Sequence, residues 1–177
     1  MTDSVLYLIV FAVCAVGFLL FTFVVFYGAP FLPTRKSRVE EALDLLDIKS
    51  GQTLLELGSG DGRMLRAAAK RGIRSIGYEL NPVLMAWSRI RCWRWRHIVT
   101  IYCANYWNIS LPPADGIYVF LLQPYMMRLD TKIQFEIKQP TCLVSFAFHI
   151  PDKIPVVEQN GLFVYHYDPH STGNLEP

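Results

Sequence analysis

Glu56, Gly58, Gly60 and Gly62 alternate along one short stretch, and a second carboxylate, Glu79, follows at close to the ~20-residue offset of ribose-binding acids. These residue types can grip a nucleoside-bearing ligand. Glycine lets the backbone turn sharply and puts no side chain between main chain and ligand. The N–H groups that open the following helix are free to face it. A carboxylate closing the next strand accepts hydrogen bonds from ribose hydroxyls. The glycines alone do not select the nucleotide. The dinucleotide fingerprint is G-x-G-x-x-G; here the third glycine comes one residue early, and Arg63 occupies the fingerprint position. A lone Gly-x-Gly reads as an ordinary tight turn, and Glu79 is what lifts this one above that reading.

A second group lies further along. Tyr106, Trp107 and Tyr125 offer aromatic faces that can hold an amine or a cation. Plain core packing is the competing reading for each. Asn105, just before them, offers an amide oxygen as acceptor. These four are the candidates for the reacting end of the site, and no general base stands out. His97, His149, His166 and His170 lack metal-ligand spacing, no Ser/His/Asp set is visible, and no metal is implied. Cys14, Cys92, Cys103 and Cys142 form neither a C-x-x-C pair nor a disulfide framework. The last three are expected as reduced core thiols, and Cys14 lies in the N-terminal apolar segment.

The elements that must position these groups follow from periodicity. Leu54, Leu55 and Leu57 make the apolar run of a strand buried on both faces, ending at the glycine turn. Met64 to Lys70 continues as a helix. Ile73 to Glu79 is the second strand, and Pro82 suits the first turn of a helix over Val83 to Arg96. Ile98 to Cys103, Asp115 to Leu122 and Cys142 to Phe148 are further strands, with a helix from Met126 to Lys138. A closing pair, Val156 to Glu158 and Leu162 to Tyr167, turns near Asn160 and Gly161. The stretch from His149 to Pro155 is too short for a helix. Ahead of the first strand, Val39 to Asp47 has helical spacing. The expectation is an α/β chain with a trimmed, doubly wound, Rossmann-like sheet closed by a hairpin, and a disordered tail from Asp168.

The 177 residues allow one domain plus an accessory segment. The accessory segment is N-terminal. No charged residue occurs from Ser4 to Thr34, and Val5 to Tyr27 as a helix would be ~34 Å long, enough for a bilayer core. It lacks the basic leading end of a signal peptide, so one uncleaved transmembrane helix is expected, occupying the first of three parts (1–29, 30–167 and 168–177). Arg35, Lys36 and Arg38 follow it, which places the domain on the cytoplasmic side, or the matrix side of a mitochondrial membrane. Pro30 to Thr34 would be a stiff linker. Between Arg63 and Arg96 stand nine Lys or Arg and one acid, Glu79. That basic stretch reads as a solvated face, a lipid-docking face or a nucleic-acid face, and the anchor favours lipid.

Acid-x-Gly-x-Gly-x-Gly resembles the first motif of class I S-adenosylmethionine (SAM) methyltransferases. Pro30-Phe31-Leu32-Pro33-Thr34, Glu56 through Gly62, and Gly77-Tyr78-Glu79-Leu80-Asn81-Pro82 together resemble the membrane-anchored lysine methyltransferases of the adenine nucleotide translocase and the ATP synthase c-subunit. The resemblance implies a class I methyltransferase fold, SAM as cofactor, and an integral membrane protein as substrate. It carries SAM binding onto Glu56, Gly58, Gly60, Asp61, Glu79 and Leu80, and onto Thr34 and Asn105. One block departs. The family has Asp-Leu-Trp-Lys after the third strand where this chain has Asn105-Tyr106-Trp107-Asn108. The amide keeps an acceptor and loses the charge, which bears on lysine as substrate more than on SAM. A lipid or quinone methyltransferase and a non-catalytic SAM-binding module are the other readings. Gln123-Pro124-Tyr125 shares only Pro-Tyr with the Asn/Asp-Pro-Pro-Tyr motif of nucleic-acid amino methyltransferases, and a nucleic-acid partner is not expected.

Overall fold

Leu54, Leu55 and Leu57 are all buried, the requirement for a strand covered on both faces. They belong to β1 (Thr53–Leu57), an interior strand of the sheet. The computed structural model describes residues 2–27 and 34–169, in two units that divide between Leu32 and Pro33.

In the second unit the chain runs α2 (Lys36–Leu46), β1, α3 (Arg63–Lys70), β2 (Arg74–Glu79), α4 (Pro82–Cys92) and β3 (Val99–Cys103). It continues with β4 (Gly116–Val119), α5 (Gln123–Glu136), β5 (Thr141–Phe146), β6 (Val157–Gln159) and β7 (Leu162–Tyr167). Short 3-10 turns follow α4 at Trp93–Trp95 and β3 at Tyr106–Asn108. The seven strands lie in the order β3-β2-β1-β4-β5-β7-β6. The first five pair in parallel, and β7 is antiparallel to both β5 and β6. This is the doubly wound class I methyltransferase sheet, and strand order reverses between β1 and β4, where such sheets bind ligands.

Alternation along each strand splits the core in two. Leu55, Leu57, Ile117, Val119 and Leu143 pack with Met126, Leu129 and Ile133 of α5. Leu54, Tyr118 and Val144 pack with Val39, Leu43 and Leu46 of α2 and Met64 of α3. A smaller cluster joins Leu65 and Ala69 of α3 to Cys92, Val99 and Ile101 beneath α4.

Several expected boundaries move, each for a local reason. The fourth strand stops at Val119 rather than Leu122, because the chain leaves the sheet to start α5 at Gln123. The fifth strand stops at Phe146 rather than Phe148. Ala147 takes a positive φ of 69°, and the Ser145 hydroxyl donates to the Phe148 carbonyl at 2.6 Å, closing a turn. Helix α4 ends at Cys92, four residues before Arg96. Cys103 is exposed, not a core thiol, since β3 is an edge strand that turns one face to solvent; Cys92 and Cys142 are buried as expected.

The first unit contains α1 (Thr2–Tyr27), with side chains described for residues 4–18 and for Thr22. Among the described residues no helix is long and apolar enough to cross a membrane, so the expected single span is not established. Residues 28–33, most of the expected linker Pro30–Thr34, and residues 170–177, most of the tail expected from Asp168, lie outside the described residues, whereas Thr34, Asp168 and Pro169 are described.

Candidate functional site

The turn after β1 is built to bring backbone amides to the carboxyl edge of the sheet. Gly58, Gly60 and Gly62 have φ of 92°, 51° and 72°, values that cost L side chains energy. Gly58 and Ser59 both donate to the Tyr78 carbonyl at 2.9 Å, which ties the turn to the end of β2. Gly77, inside β2, makes that approach possible: a Cβ there would meet Leu65 Cδ1 at 2.6 Å and Ser59 Cβ at 2.9 Å. A Cβ on Gly58 would meet nothing within 4 Å, so the turn faces open space there.

Glu79 closes β2 and holds the turn from the other side. Its Oε2 accepts from Gly60 N at 2.7 Å and its Oε1 from Asn81 N at 2.8 Å. Each oxygen keeps a lone pair for a further donor. Asn81 caps α4, its Oδ1 accepting from Val83 N at 2.9 Å and Leu84 N at 3.2 Å. Glu56, at the end of β1, is buried, and its Oε2 has no partner among the described residues; Ser59 Oγ is in the same position. Burial raises the Glu56 pKa well above the ordinary carboxylate range, and the nearby Asp61 and Glu79 charges raise it further. Orphaned buried oxygens beside a side-chain-free turn fit a polar, nucleoside-bearing ligand.

Asp61 is engaged differently. Arg63 meets it with Nε at 2.9 Å and Nη2 at 2.8 Å, and Arg91 Nη1 reaches the same carboxylate. Burial pushes the Asp61 pKa up, but the two guanidinium groups outweigh it and hold the carboxyl below its ordinary value. The Arg63 Nη1 also donates to the Thr34 carbonyl, whose own hydroxyl lies 3.5 Å from the Tyr118 hydroxyl. Thr34 and Asp61 are thus joined through Arg63. Leu80 sits between Glu79 and the α4 cap, half-buried.

The aromatic candidates come together. Tyr106 and Trp107 have ring centroids 4.9 Å apart, and Trp107 and Tyr125 6.4 Å apart. All three also pack against the core on the α5 side. Asn105 caps their 3-10 turn, its Oδ1 accepting from Trp107 N at 3.0 Å. Desolvation raises the Tyr106 pKa, so its hydroxyl stays a neutral donor. The Arg128 guanidinium lies 4.4 Å over the Trp107 ring and covers one of its faces. Sequence reasoning missed Arg128, although Tyr125 and Arg128 stand three apart on one helix and share a face. It gave Arg63 a place in the motif but no role. Arg91 carried no local signal at all.

A family profile described as ANTKMT methyltransferase domain matches residues 56–157. The chain is 33% identical over 128 residues to the lysine N-methyltransferase of the ATP synthase c-subunit from Xenopus laevis, covering 71% of this chain and 56% of that protein. It is 34% identical over 149 residues to the adenine nucleotide translocase lysine N-methyltransferase of Mus musculus, covering 81% and 65%. The chain therefore spans somewhat more than half the length of these relatives. Among solved structures, an RNA methyltransferase from Salinibacter ruber in complex with S-adenosyl-L-homocysteine superimposes with a TM-score of 0.70 at 27% identity, over 77% of this chain and 93% of that one. With the profile running from the acid of the glycine turn to β6, the chain belongs to the family of ANTKMT methyltransferase domains, whose cofactor is S-adenosylmethionine.

Proposed function

We propose that this chain is a membrane-anchored, SAM-dependent protein-lysine N-methyltransferase acting on an integral membrane protein. The observation that carries the cofactor assignment is the Glu79 carboxylate, fixed between Gly60 N and Asn81 N at the end of β2, beside the glycine turn. When bound, SAM supplies an electrophilic methyl group on a sulfonium. Glu79 would accept from ribose hydroxyls with its remaining lone pairs, and Gly58 and Gly60 would leave the backbone bare for close approach. Glu56 offers its orphaned oxygen to the ligand. Asp61 and Thr34, tied through Arg63, would set the wall beside the turn, and Leu80 and Asn105 would be further contacts for the cofactor.

The reacting end is the aromatic group at Tyr106, Trp107 and Tyr125. An attacking lysine must first lose a proton, and its reference pKa near ~10.4 makes that cost about 4–5 kcal/mol at neutral pH. A desolvated aromatic pocket disfavours the charged amine. The Arg128 charge beside Trp107 acts in the same direction. Asn105 in place of an acid removes the group that would hold the ammonium form. Alignment in a dry site then supplies most of the remaining catalysis.

The substrate class rests on the relatives named for methylating the ATP synthase c-subunit and the adenine nucleotide translocase. The anchor reading rests on α1, 26 residues long, whose described apolar side chains, Tyr7, Phe11 and Phe18 among them, are exposed. Residues 28–35 join it to α2; the chain between Tyr27 and Lys36 can extend to at most about 30 Å. Incubation with labelled SAM and, separately, membrane proteins, lipid extract and RNA tests the reading. Label is expected on lysines of membrane proteins. Label in lipid or RNA alone would leave a methyltransferase but overturn the lysine assignment.

A further inference from the structure

Helix α4 carries an apolar face that the described chain leaves uncovered. Val83, Trp87, Ile90 and, in the 3-10 turn that follows, Trp93 are 61%, 53%, 67% and 65% exposed. Steps of four, three and three keep them on one side of the helix. Ser88 and Cys92, on the opposite side, are buried. A run of large apolar side chains on a surface marks a contact site.

The surroundings are cationic. Arg89 and Arg91 flank Ile90 on either side of the stripe, and the Arg96 guanidinium lies 4.7 Å over the Trp93 ring. Next to Arg91 is a cavity of about 210 Å³, lined by Lys36, Arg63, Arg66, Lys70 and Arg91 with one acid, Glu40. Glu40 pairs with Arg71, and Arg63 and Arg91 pair with Asp61. Lys36, Arg66 and Lys70 make no ion pair among the described residues.

We infer that this face of α4 docks on an anionic phospholipid bilayer, with Trp87 and Trp93 at headgroup level, Val83 and Ile90 in the acyl boundary, and a headgroup phosphate in the Lys36–Arg66–Lys70 cavity. Indole rings favour that depth, and arginine stems can follow them while the charged ends stay with the phosphates. The charge argues against the other occupants. A second copy docked through the same face would bring two cationic cavities together. RNA would engage the arginines and stack on the tryptophans, but it gives Val83 and Ile90 no apolar phase to enter.

The docking goes beyond the methyltransferase reading and is tested apart from it. The full chain is reconstituted in vesicles of phosphatidylcholine alone or mixed with phosphatidylglycerol, each carrying brominated acyl chains. Tryptophan emission should be quenched at least about twofold more in the phosphatidylglycerol vesicles. Trp87→Ser with Trp93→Ser should remove most of that quenching. Arg66→Gln with Lys70→Gln should bring the two compositions close together. All variants should keep wild-type SAM affinity, which reports that they fold. Equal quenching in both compositions, unchanged quenching in the Trp87/Trp93 variant, or inorganic phosphate reproducing the phosphatidylglycerol effect would overturn the inference. So would burial of the same tryptophans by self-association or by RNA but not by vesicles. A carbonate wash separates the anchor: protein released after showing the quenching removes the anchor and leaves the docking, whereas retained but unquenched protein does the reverse.

Discussion

Glu56 holds a proton in the free protein because burial disfavours its charge, with Asp61 and Glu79 adding repulsion. A raised folded-state pKa stabilises the fold fully below the ordinary carboxylate range, and that contribution disappears as pH rises through the folded value. Glu56→Gln, which cannot ionise, should therefore raise the melting temperature relative to wild type at alkaline pH and leave it nearly unchanged near pH 4; differential scanning calorimetry across pH checks this. Glu56→Ala, which removes the orphaned oxygen altogether, should bind SAM roughly fivefold more weakly, the loss of one neutral hydrogen bond worth about 1 kcal/mol. Arg128 makes a second prediction at this scale. Its charge beside the aromatic pocket favours a neutral lysine, so Arg128→Gln should move the rising limb of the pH–rate profile upward by roughly 0.5–1 unit. An unshifted profile would confine Arg128 to packing on Trp107.

Among elements, α4 couples cap, cofactor turn and docking face. Removing the Asn81 side chain leaves the Val83 and Leu84 N–H groups without their acceptor. Asn81→Ala should cost about 1 kcal/mol in urea denaturation. It should leave SAM binding near wild type, since the backbone N–H that holds Glu79 survives in alanine. What the sequence made legible followed a rule of range. The β1 turn, Glu79, the Asn81-Pro82 helix start and the final strand pair are local patterns, and they stand within a residue or two of where periodicity and turn chemistry put them. The Asp61–Arg63–Arg91 cluster joins side chains 30 residues apart, and Arg63 reaches Thr34 from 29 away. No local pattern encodes such a meeting. Ala147 misled in the opposite way: alanine gives no hint of a positive φ, and only the turn closed by Ser145 imposes it.

At the scale of the molecule, the proposed anchor and the basic flank make one topological prediction. Arg35, Lys36 and Arg38 follow the apolar segment, and Asp3 stands before it. In a bacterial host, carbonate-washed membranes should retain the protein, and protease added to the periplasmic side should spare residues 34–169. Release into the supernatant would remove the anchor from the proposed function while leaving the family assignment intact.

The place of β7 in the sheet has a consequence in time. The last strand made is inserted between β5 and β6, both of which precede it. The ribosome adds roughly 5–20 residues per second, and throughout that interval β5 has an open edge and Tyr165, later among the largest fully buried side chains, does not yet exist. The sheet can therefore close only after Leu162–Tyr167 have left the ribosome. A nascent chain stalled before Leu162 would present the β5 edge, with Val144 and Phe146, unpaired to the cell.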